Sequence, residues 1–300
     1  MRFLSMSLHI RALRLPFIAA SILPFIAGSL IAKENFQYLP FLLGLLAVAS
    51  THLGANLIND YADSKSGVDW KDRKFYGLFG GSKLIQEGIL SEQSYLMMAI
   101  FYFLLALASI ISLSILFKST AIYGYFLVIG LLAFCYSHKP LQLSYHRMGE
   151  FIIFLLFGPA LVMGGYYIQT QNFPTPEGFL LSLPFGFFTM AILFANEIPD
   201  YDTDRATGKM NWVSIVGKEK AYRIYEVIMV CGFVSIAGNI YLGYLHFVSI
   251  LSFILIFMVF KATRIMKNDF ADKEKLLASS MLTIQIQTLV SIVLILGKIF

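Results

Sequence analysis

Nine long apolar runs, separated by short polar stretches, make up most of the chain. A helix that crosses the hydrocarbon core of a bilayer needs about 20 mainly apolar residues, and each run approaches that length. The pattern therefore predicts an all-α polytopic membrane bundle of about nine transmembrane helices, and we expect residues 1–300 to form one membrane domain. The predicted helices span residues 15–32, 38–59, 94–117, 119–137, 150–169, 178–197, 221–243, 245–263 and 276–297.

The composition supports a chain whose main solvent is lipid. It is 58% hydrophobic and 14% charged, with a mean hydropathy of +0.72, whereas soluble domains carry roughly a quarter charged residues. The net charge is +5, but the basic residues form no long tract, so we expect no nucleic-acid partner. Cys135 and Cys231 lie inside apolar runs, which favours a packing role over a disulfide bond.

The charges are distributed unevenly between alternate loops. If the N-terminus is cytoplasmic, only Lys33, Lys118 and Lys298 among the 23 basic residues fall outside the cytoplasmic side. This bias predicts an N-in topology in the inner (cytoplasmic) membrane. The acidic residues follow the same side, with only Glu34 and Glu177 outside it. Because the positive-inside rule says little about Asp and Glu, their crowding on one face needs its own cause.

Two acidic clusters end the second and sixth predicted helices. The first contains Asn56, Asn59, Asp60, Asp63 and Asp69, and the second contains Asn196, Asp200 and Asp204. Residues three and four apart share one face of a helix, so Asn56, Asp60 and Asp63 form one stripe if their helix continues. Asn196, Asp200 and Asp204 form the corresponding stripe on the sixth helix. Pro199 can distort the second stripe, because proline removes a backbone donor.

Binding of a cation explains these clusters better than an accidental grouping of acidic residues does. Ionised side chains near hydrocarbon are costly and usually functional, and the negative end of a helix dipole disfavours carboxylates further. Mg²⁺ prefers oxygen ligands and usually takes one or two carboxylates together with substrate phosphates. The clusters therefore predict a Mg²⁺–diphosphate site at the membrane surface. Two alternatives are ordinary solvated acids and a cation-coupled transporter, although transporter sites lie near the bilayer midplane.

Basic side chains follow both clusters and are candidates to contact a diphosphate. They are Lys83 after the first cluster, and Arg205 and Lys209 after the second. A third polar stretch runs from Tyr136 to Glu150, between the fourth and fifth predicted helices. In it, Lys139 or Arg147 can hold a carboxylate on an acceptor molecule, although a plain loop that turns at Pro140 is equally compatible.

At these residues the chain resembles the UbiA superfamily of intramembrane aromatic prenyltransferases. The signatures are Asn59-Asp60-x-x-Asp63 with Gly67-Val68-Asp69, the Tyr136 to Glu150 stretch, and Asn196-x-x-x-Asp200-x-x-x-Asp204-Arg205 with Gly208-Lys209. The resemblance implies that Mg²⁺ and diphosphate are held by Asn59, Asp60, Asp63, Asp69, Asn196, Asp200 and Asp204, with the four aspartates of the two stripes central to catalysis. It implies substrate contacts at Asn56, Asn59, Asn196, Lys83, Tyr136, Lys139, Arg147, Arg205 and Lys209.

Within the superfamily, the chain is most similar to the 1,4-dihydroxy-2-naphthoate polyprenyltransferases of menaquinone biosynthesis. The resemblance implies transfer of a polyprenyl group from polyprenyl diphosphate to an aromatic acceptor, with the tail among membrane lipids. The same chemistry on 4-hydroxybenzoate, homogentisate or a chlorin stays open, as does a non-enzymatic carrier. One departure follows Lys209, where Ile215 stands at a position that is Arg in that branch. Prenyl length and oligomeric state are left open.

Overall fold

The computed structural model describes residues 6–137, 140–173 and 175–300, which form helices and turns apart from one isolated β-bridge between His146 and Met210. A short helix, Met6–Ala12, comes first. The longer helices are α1 (Leu15–Asn35), α2 (Tyr38–Ser66), α3 (Glu92–Phe117), α4 (Ala121–Ser137), α5 (Gly149–Thr170), α6 (Pro176–Ala206), α7 (Ala221–Tyr241), α8 (Phe247–Asn268) and α9 (Lys273–Ile299).

The all-α prediction is confirmed. In the described ranges eight helices are long and apolar enough to cross a membrane, and α4, with 17 residues, is a shorter apolar helix beside them. The two shortest predicted linkers coincide with helix ends, because Lys118 and Gly243 adopt left-handed backbone conformations with φ of 51° and 76°. The chain is therefore a multi-pass membrane protein.

Two helices extend further than their apolar runs. The predicted ends at residues 59 and 197 are wrong, because α2 continues to Ser66 and α6 to Ala206. Hydropathy locates only the part of a helix that lies in lipid, whereas backbone hydrogen bonding continues into the polar region. Pro199 lies inside α6 without ending it. Both acidic stripes consequently lie on continuous helix.

The centre of the bundle is α6. Within its apolar window 72% of the residues are buried, against 28% for the peripheral α3. Phe185, Phe188 and Phe194 of α6 are almost fully buried, and the helix packs against α5, α7 and α9. At Gly158 of α5 the backbones touch, since an added Cβ would lie 2.7 Å from the Cα of Gly186. This close packing positions the polar end of α6.

The polar segments at one end of the bundle bond to one another. They are the N-terminal helix, the α2–α3, α4–α5 and α6–α7 connections, and the start of α9. The bonds that join them are Arg11–Glu87 (2.6 Å), Lys71–Ala206 (3.2 Å), Arg147–Met210 (2.8 Å) and Lys273–Asp72 (2.8 Å). These segments are the ones assigned to the cytoplasm from the sequence. Their orientation in the cell stays a prediction.

Candidate active site

The polar ends of α2 and α6 meet around a glycine turn in the α2–α3 connection. A Cβ atom built on Gly81 would lie 2.9 Å from Asp69 Oδ2 and 3.3 Å from Asp60 Oδ1. A Cβ on the preceding Gly80 would lie 3.9 Å from Asp200 Oδ1. Carboxyl groups from α2, from the short helix Val68–Lys71 and from α6 thus surround one turn. Both glycines have positive φ, which glycine adopts at little cost.

Asp60 is the most firmly held carboxylate at the end of α2. It is buried, and its Oδ2 accepts a hydrogen bond from the Ser82 backbone N–H at 3.0 Å. Its Oδ1 lies 3.7 Å from Arg14 Nη1, and no donor in the described residues makes a hydrogen bond to it. The preceding residue, Asn59, donates through Nδ2 to Oδ2 of Asp63, one turn further along the helix, at 3.2 Å. Asp60 therefore keeps one oxygen available for a ligand.

A buried ion pair adjoins this stripe. Lys83 Nζ lies 2.8 Å from Asp69 Oδ1 and also donates to the Asp69 backbone carbonyl at 3.3 Å. Both side chains are about 95% buried. Burial raises the pKa of Asp69, and the ammonium of Lys83 partly offsets that increase. Lys83 itself has a left-handed φ of 60°, which is uncommon for a residue other than glycine.

At the end of α6, Asp204 is held by the residues that follow it. Asn211 Nδ2 donates to Asp204 Oδ2 at 2.9 Å, and Lys209 Nζ lies 3.2 Å from the same oxygen. Burial lowers the pKa of Lys209, but Asp204, with smaller contributions from Tyr136 and Asp63, raises it well above its usual value. Because Asp63 belongs to α2 and Asp204 to α6, carboxylates of both helices favour the charged form of Lys209.

The other members of the α6 stripe have fewer protein partners. Asn196 Oδ1 is buried, and no described donor makes a hydrogen bond to it. Asp200 faces Gly80, which in turn lies beside Lys83 Nζ. These two side chains therefore present oxygen atoms that protein donors have not already engaged.

The Tyr136 to Glu150 stretch reaches the site only in part. The backbone N–H of Arg147 donates to Met210, and its carbonyl accepts from the Trp212 indole at 3.0 Å. These bonds fasten the α4–α5 connection to the α6–α7 connection. The Arg147 side chain is exposed, whereas Tyr136 contributes to raising the pKa of Lys209. Lys139, the other predicted acceptor contact, lies outside the described residues.

Two predicted substrate contacts are hydrogen-bonded to groups other than the carboxylates. Arg205 is exposed, and its Nη1 donates to the Tyr201 hydroxyl at 2.8 Å. Asn56 Nδ2 donates to the Leu13 carbonyl at 3.1 Å, which ties α2 to the N-terminal segment. Neither hydrogen bond is made to an aspartate of the acidic clusters.

Sequence reasoning missed several residues at this site. Arg14 was counted only as a topology determinant, and Ser82 and Asn211 carry no signal that separates them from ordinary loop residues. Glu150 and Glu197 fall inside the motifs but received no role, although both are at least 97% buried. Glu150 accepts a hydrogen bond from the Trp212 backbone N–H. The usable signal was an acidic residue inside an otherwise apolar helix.

An apolar cavity of about 200 Å³ lies among α1 to α5, next to this site. His52 and Asn56 line it and precede Asp60 at intervals of four residues, so all three share one face of α2. Ser21 Oγ lies 2.7 Å from His52 Nδ1 at the cavity wall. The remaining lining is mostly aliphatic and aromatic. About one turn of α2 therefore separates Asp60 from Asn56, which lines a space suited to hydrocarbon.

The donor set fits a divalent cation that arrives with its own oxygen ligands. No group of three or more His, Cys, Asp or Glu side chains in the described ranges is arranged to hold an ion alone. Asp69 is paired with the ammonium of Lys83, and Asp204 accepts from the amide of Asn211. Asp60 Oδ1 and Asn196 Oδ1 stay available. Mg²⁺ commonly takes one or two protein oxygens and completes its shell with phosphates and water.

The fold and the site together define a helical membrane protein with paired acidic helix ends beside an apolar cavity. Residues 21–284 match the model of the UbiA prenyltransferase family, so the chain belongs to that family. The resemblance inferred from its motifs is confirmed.

Two related sequences and one solved structure are consistent with membership of this family. The chain is 26% identical over 235 residues to 1,4-dihydroxy-2-naphthoate octaprenyltransferase of Escherichia coli (strain K12), covering 76% of this chain and 73% of that one. It is 23% identical over 234 residues to the UbiA prenyltransferase domain-containing protein 1 homolog of Drosophila melanogaster, covering 76% of this chain but only 63% of that protein. A UbiA homolog from Archaeoglobus fulgidus bound to GPP and Mg²⁺ shares the fold, with a TM-score of 0.64, 16% identity, and coverage of 97% and 98%.

Proposed function

We propose that the protein transfers a polyprenyl group from polyprenyl diphosphate to an aromatic acceptor, with Mg²⁺ required and 1,4-dihydroxy-2-naphthoate as the acceptor. The observation that carries this proposal is the convergence of carboxyl groups from α2 and α6 around Gly80 and Gly81, beside an apolar cavity. A polar, cation-binding end joined to an apolar space suits a molecule with a diphosphate head and a hydrocarbon tail.

The two helix ends would hold the metal and the diphosphate between them. The side chains assigned to this task are Asn59, Asp60, Asp63, Asp69, Asn196, Asp200 and Asp204. When bound, Mg²⁺ neutralises the diphosphate and makes it a better leaving group. Lys83 and Lys209, which pair with Asp69 and Asp204, would stabilise the charge that develops on the leaving phosphate oxygens.

In the reaction the allylic C–O bond breaks, and its electron pair leaves with the diphosphate. An electron-rich carbon of the acceptor ring then forms the new bond to the prenyl carbon. With 1,4-dihydroxy-2-naphthoate the ring loses its carboxylate as CO₂, and with an acceptor that carries hydrogen at that carbon it loses a proton. The apolar lining around His52 and Asn56 would house the tail and exclude water from the allylic cation.

The acceptor is assigned to the side of the site formed by the α4–α5 connection. The Arg147 backbone is bonded to the α6–α7 connection, which also carries Lys209, the partner of Asp204. Arg147 and Lys139 are the candidates to hold a carboxylate on the acceptor, through charge-assisted hydrogen bonds. The name of the Escherichia coli relative supports naphthoate over the other aromatic acceptors.

We also propose that the site faces the cytoplasm in the inner membrane. All but three of the 23 basic residues fall in the sequence segments that we predict to be cytoplasmic, and the described parts of several of these segments bond to one another at the end of the bundle that carries the site. Short loops with such an excess of Lys and Arg stay on the cytoplasmic side. Labelling of a cysteine at exposed Asp202 in intact cells and in inverted vesicles tests this orientation. Labelling only in inverted vesicles is expected.

The metal and diphosphate assignment is tested by replacing one aspartate at each helix end. We expect Asp63→Asn and Asp200→Asn each to reduce prenyl transfer by at least about a hundredfold, because each removes a charged oxygen from the reacting centre. Asp202→Asn is the matched control, since Asp202 lies two residues from Asp200 but is exposed and pairs with Lys218 at 2.8 Å. Transfer is measured with purified protein in vesicles, with and without Mg²⁺.

Two results would change the proposal: one concerns the metal and the other concerns the acceptor. Full Mg²⁺-dependent activity in both Asp63→Asn and Asp200→Asn would disprove the metal assignment. A panel of 1,4-dihydroxy-2-naphthoate, 4-hydroxybenzoate, homogentisate and a chlorin, assayed with one prenyl diphosphate, decides the acceptor. Preference for any of the last three would replace naphthoate while leaving the prenyl-transfer chemistry intact.

A further inference from the structure

One guanidinium outside the carboxylate cluster makes three contacts with the α2–α3 connection. Arg11, in the N-terminal helix Met6–Ala12, donates through Nε to the Ser82 carbonyl at 2.7 Å. Its Nη2 lies 2.6 Å from Glu87 Oε1. The guanidinium also stacks over the ring of Phe75, 3.7 Å from the ring centre. All three partners belong to the segment that contains Gly80 and Gly81.

The residues that Arg11 contacts are coupled directly to the carboxylates. Ser82 receives Arg11 on its carbonyl, and its own N–H donates to Asp60 Oδ2 at 3.0 Å. The Ser82 hydroxyl is bonded to the buried Tyr95 hydroxyl at 2.6 Å. The next residue, Lys83, pairs with Asp69. Movement of this short segment would therefore move donors to two predicted metal ligands together.

The backbone of the segment needs support at Lys83, the one residue of the turn with positive φ that is not a glycine. Gly80, Gly81 and Lys83 have φ values of 71°, 78° and 60°. A lysine in the left-handed region persists only where surrounding contacts hold it. Arg11 supplies such contacts from a separate part of the chain, 71 residues away in sequence from Ser82. A planar guanidinium suits the task because it can donate in two directions and stack at the same time.

We propose that Arg11 is a positioning residue for the active site. It holds the Gly80–Lys83 turn so that Asp60 and Asp69 face the metal and the diphosphate. The N-terminal helix is in this way part of the catalytic apparatus as well as a topology determinant. The proposal rests on the proposed function of the carboxylate cluster, and it assigns to Arg11 no contact with substrate.

The test compares Arg11→Gln with Arg223→Gln, which removes a positive charge from an exposed residue at the start of α7 that bonds to Tyr222. We expect Arg11→Gln to raise the Mg²⁺ concentration for half-maximal transfer about tenfold, as removal of supporting groups around metal ligands commonly does. The kcat at saturating Mg²⁺ should stay close to that of the wild type. Arg11→Lys, which keeps the charge but not the fork, should shift the Mg²⁺ requirement less.

A second readout does not depend on catalysis. Mn²⁺ binding to the full-length protein in detergent, with a prenyl diphosphate present, is followed by electron paramagnetic resonance. Arg11→Gln should weaken Mn²⁺ binding by a similar factor, and Arg223→Gln should leave it unchanged. If the wild type binds Mn²⁺ but transfers no prenyl group, the proposed function fails while the binding comparison still decides the role of Arg11.

Unchanged Mg²⁺ dependence and unchanged Mn²⁺ affinity in folded Arg11→Gln would overturn the proposal, as would an equal shift in Arg223→Gln. A purely structural role predicts a lower melting temperature with a normal Mg²⁺ curve, and that result counts against it. If Arg11→Gln does not fold, Phe75→Leu removes only the ring beneath the guanidinium. A raised Mg²⁺ requirement in Phe75→Leu supports the proposal, and a wild-type curve overturns it.

Discussion

The two acidic helix ends carry similar sequence patterns, but the protein holds their carboxylates in different ways. At the end of α2, Asp60 is bound by Ser82, which lies 22 residues further along the chain. At the end of α6, Asp204 is bound by Asn211, only seven residues away. The α2 half therefore depends on tertiary contacts, whereas the α6 half is built by its own following loop. Similar motifs do not imply similar sensitivity to mutation.

The largest effect is expected from breaking the buried ion pair in the α2 half. Lys83→Met leaves the Asp69 carboxylate buried without its partner, which typically costs about 3–5 kcal/mol of stability. The matched change near α6 is Lys218→Met, because Lys218 pairs with the exposed Asp202; exposed pairs contribute at most about 1 kcal/mol. Thermal unfolding in detergent measures both. Equal melting temperatures would mean that the two halves do not differ in this respect.

A second comparison uses the glycine that follows each cluster. Gly81 and Gly208 share a φ of 78°, but an added Cβ meets Asp69 at 2.9 Å in the first and nothing within 4 Å in the second. Gly81→Ala should displace the carboxylates and reduce prenyl transfer about a hundredfold, because ångström-scale misplacement has that effect. Gly208→Ala should cost about 1–2 kcal/mol of left-handed strain and leave the turnover rate near normal. Steady-state rates and melting curves of both variants separate the effect on activity from the effect on stability. Normal activity in Gly81→Ala would show that the turn at Gly81 has room for a side chain.

The smallest effect is expected in the locally built half. Asn211 donates to Asp204 and also caps the short helix Trp212–Val216 by accepting from Ser214 N at 2.9 Å. Asn211→Ala should lower stability by about 1 kcal/mol and activity about tenfold. The control is Ser91→Ala, since Ser91 caps α3 through Ser94 N and touches no carboxylate. Its stability loss should be similar without loss of activity. Matching activities in the two variants would show that Asn211 serves only as a cap.

Most of the fold was predictable from the sequence because apolar length and charge bias are properties of segments. The helices, the all-α class and the placement of both acidic clusters at helix ends follow from them. The ends of α2 and α6 were placed too early, at residues 59 and 197, since hydropathy changes before helical hydrogen bonding stops. Arg205 is predicted to contact substrate, and in the structure its side chain donates to the Tyr201 hydroxyl. Spacing alone does not say where a flexible side chain points.

By itself the sequence determined that the chain is a helical membrane protein, which segments are long and apolar enough to cross a bilayer, and where the acidic residues cluster. The reason is that solvent preference and helical periodicity act over short stretches. Only the tertiary structure decided that the Gly80–Lys83 turn stands between the two acidic ends, and that Arg11 and Arg14 reach it from the N-terminal segment. Such contacts join residues tens of positions apart, and they exist only once helix packing has brought those residues together.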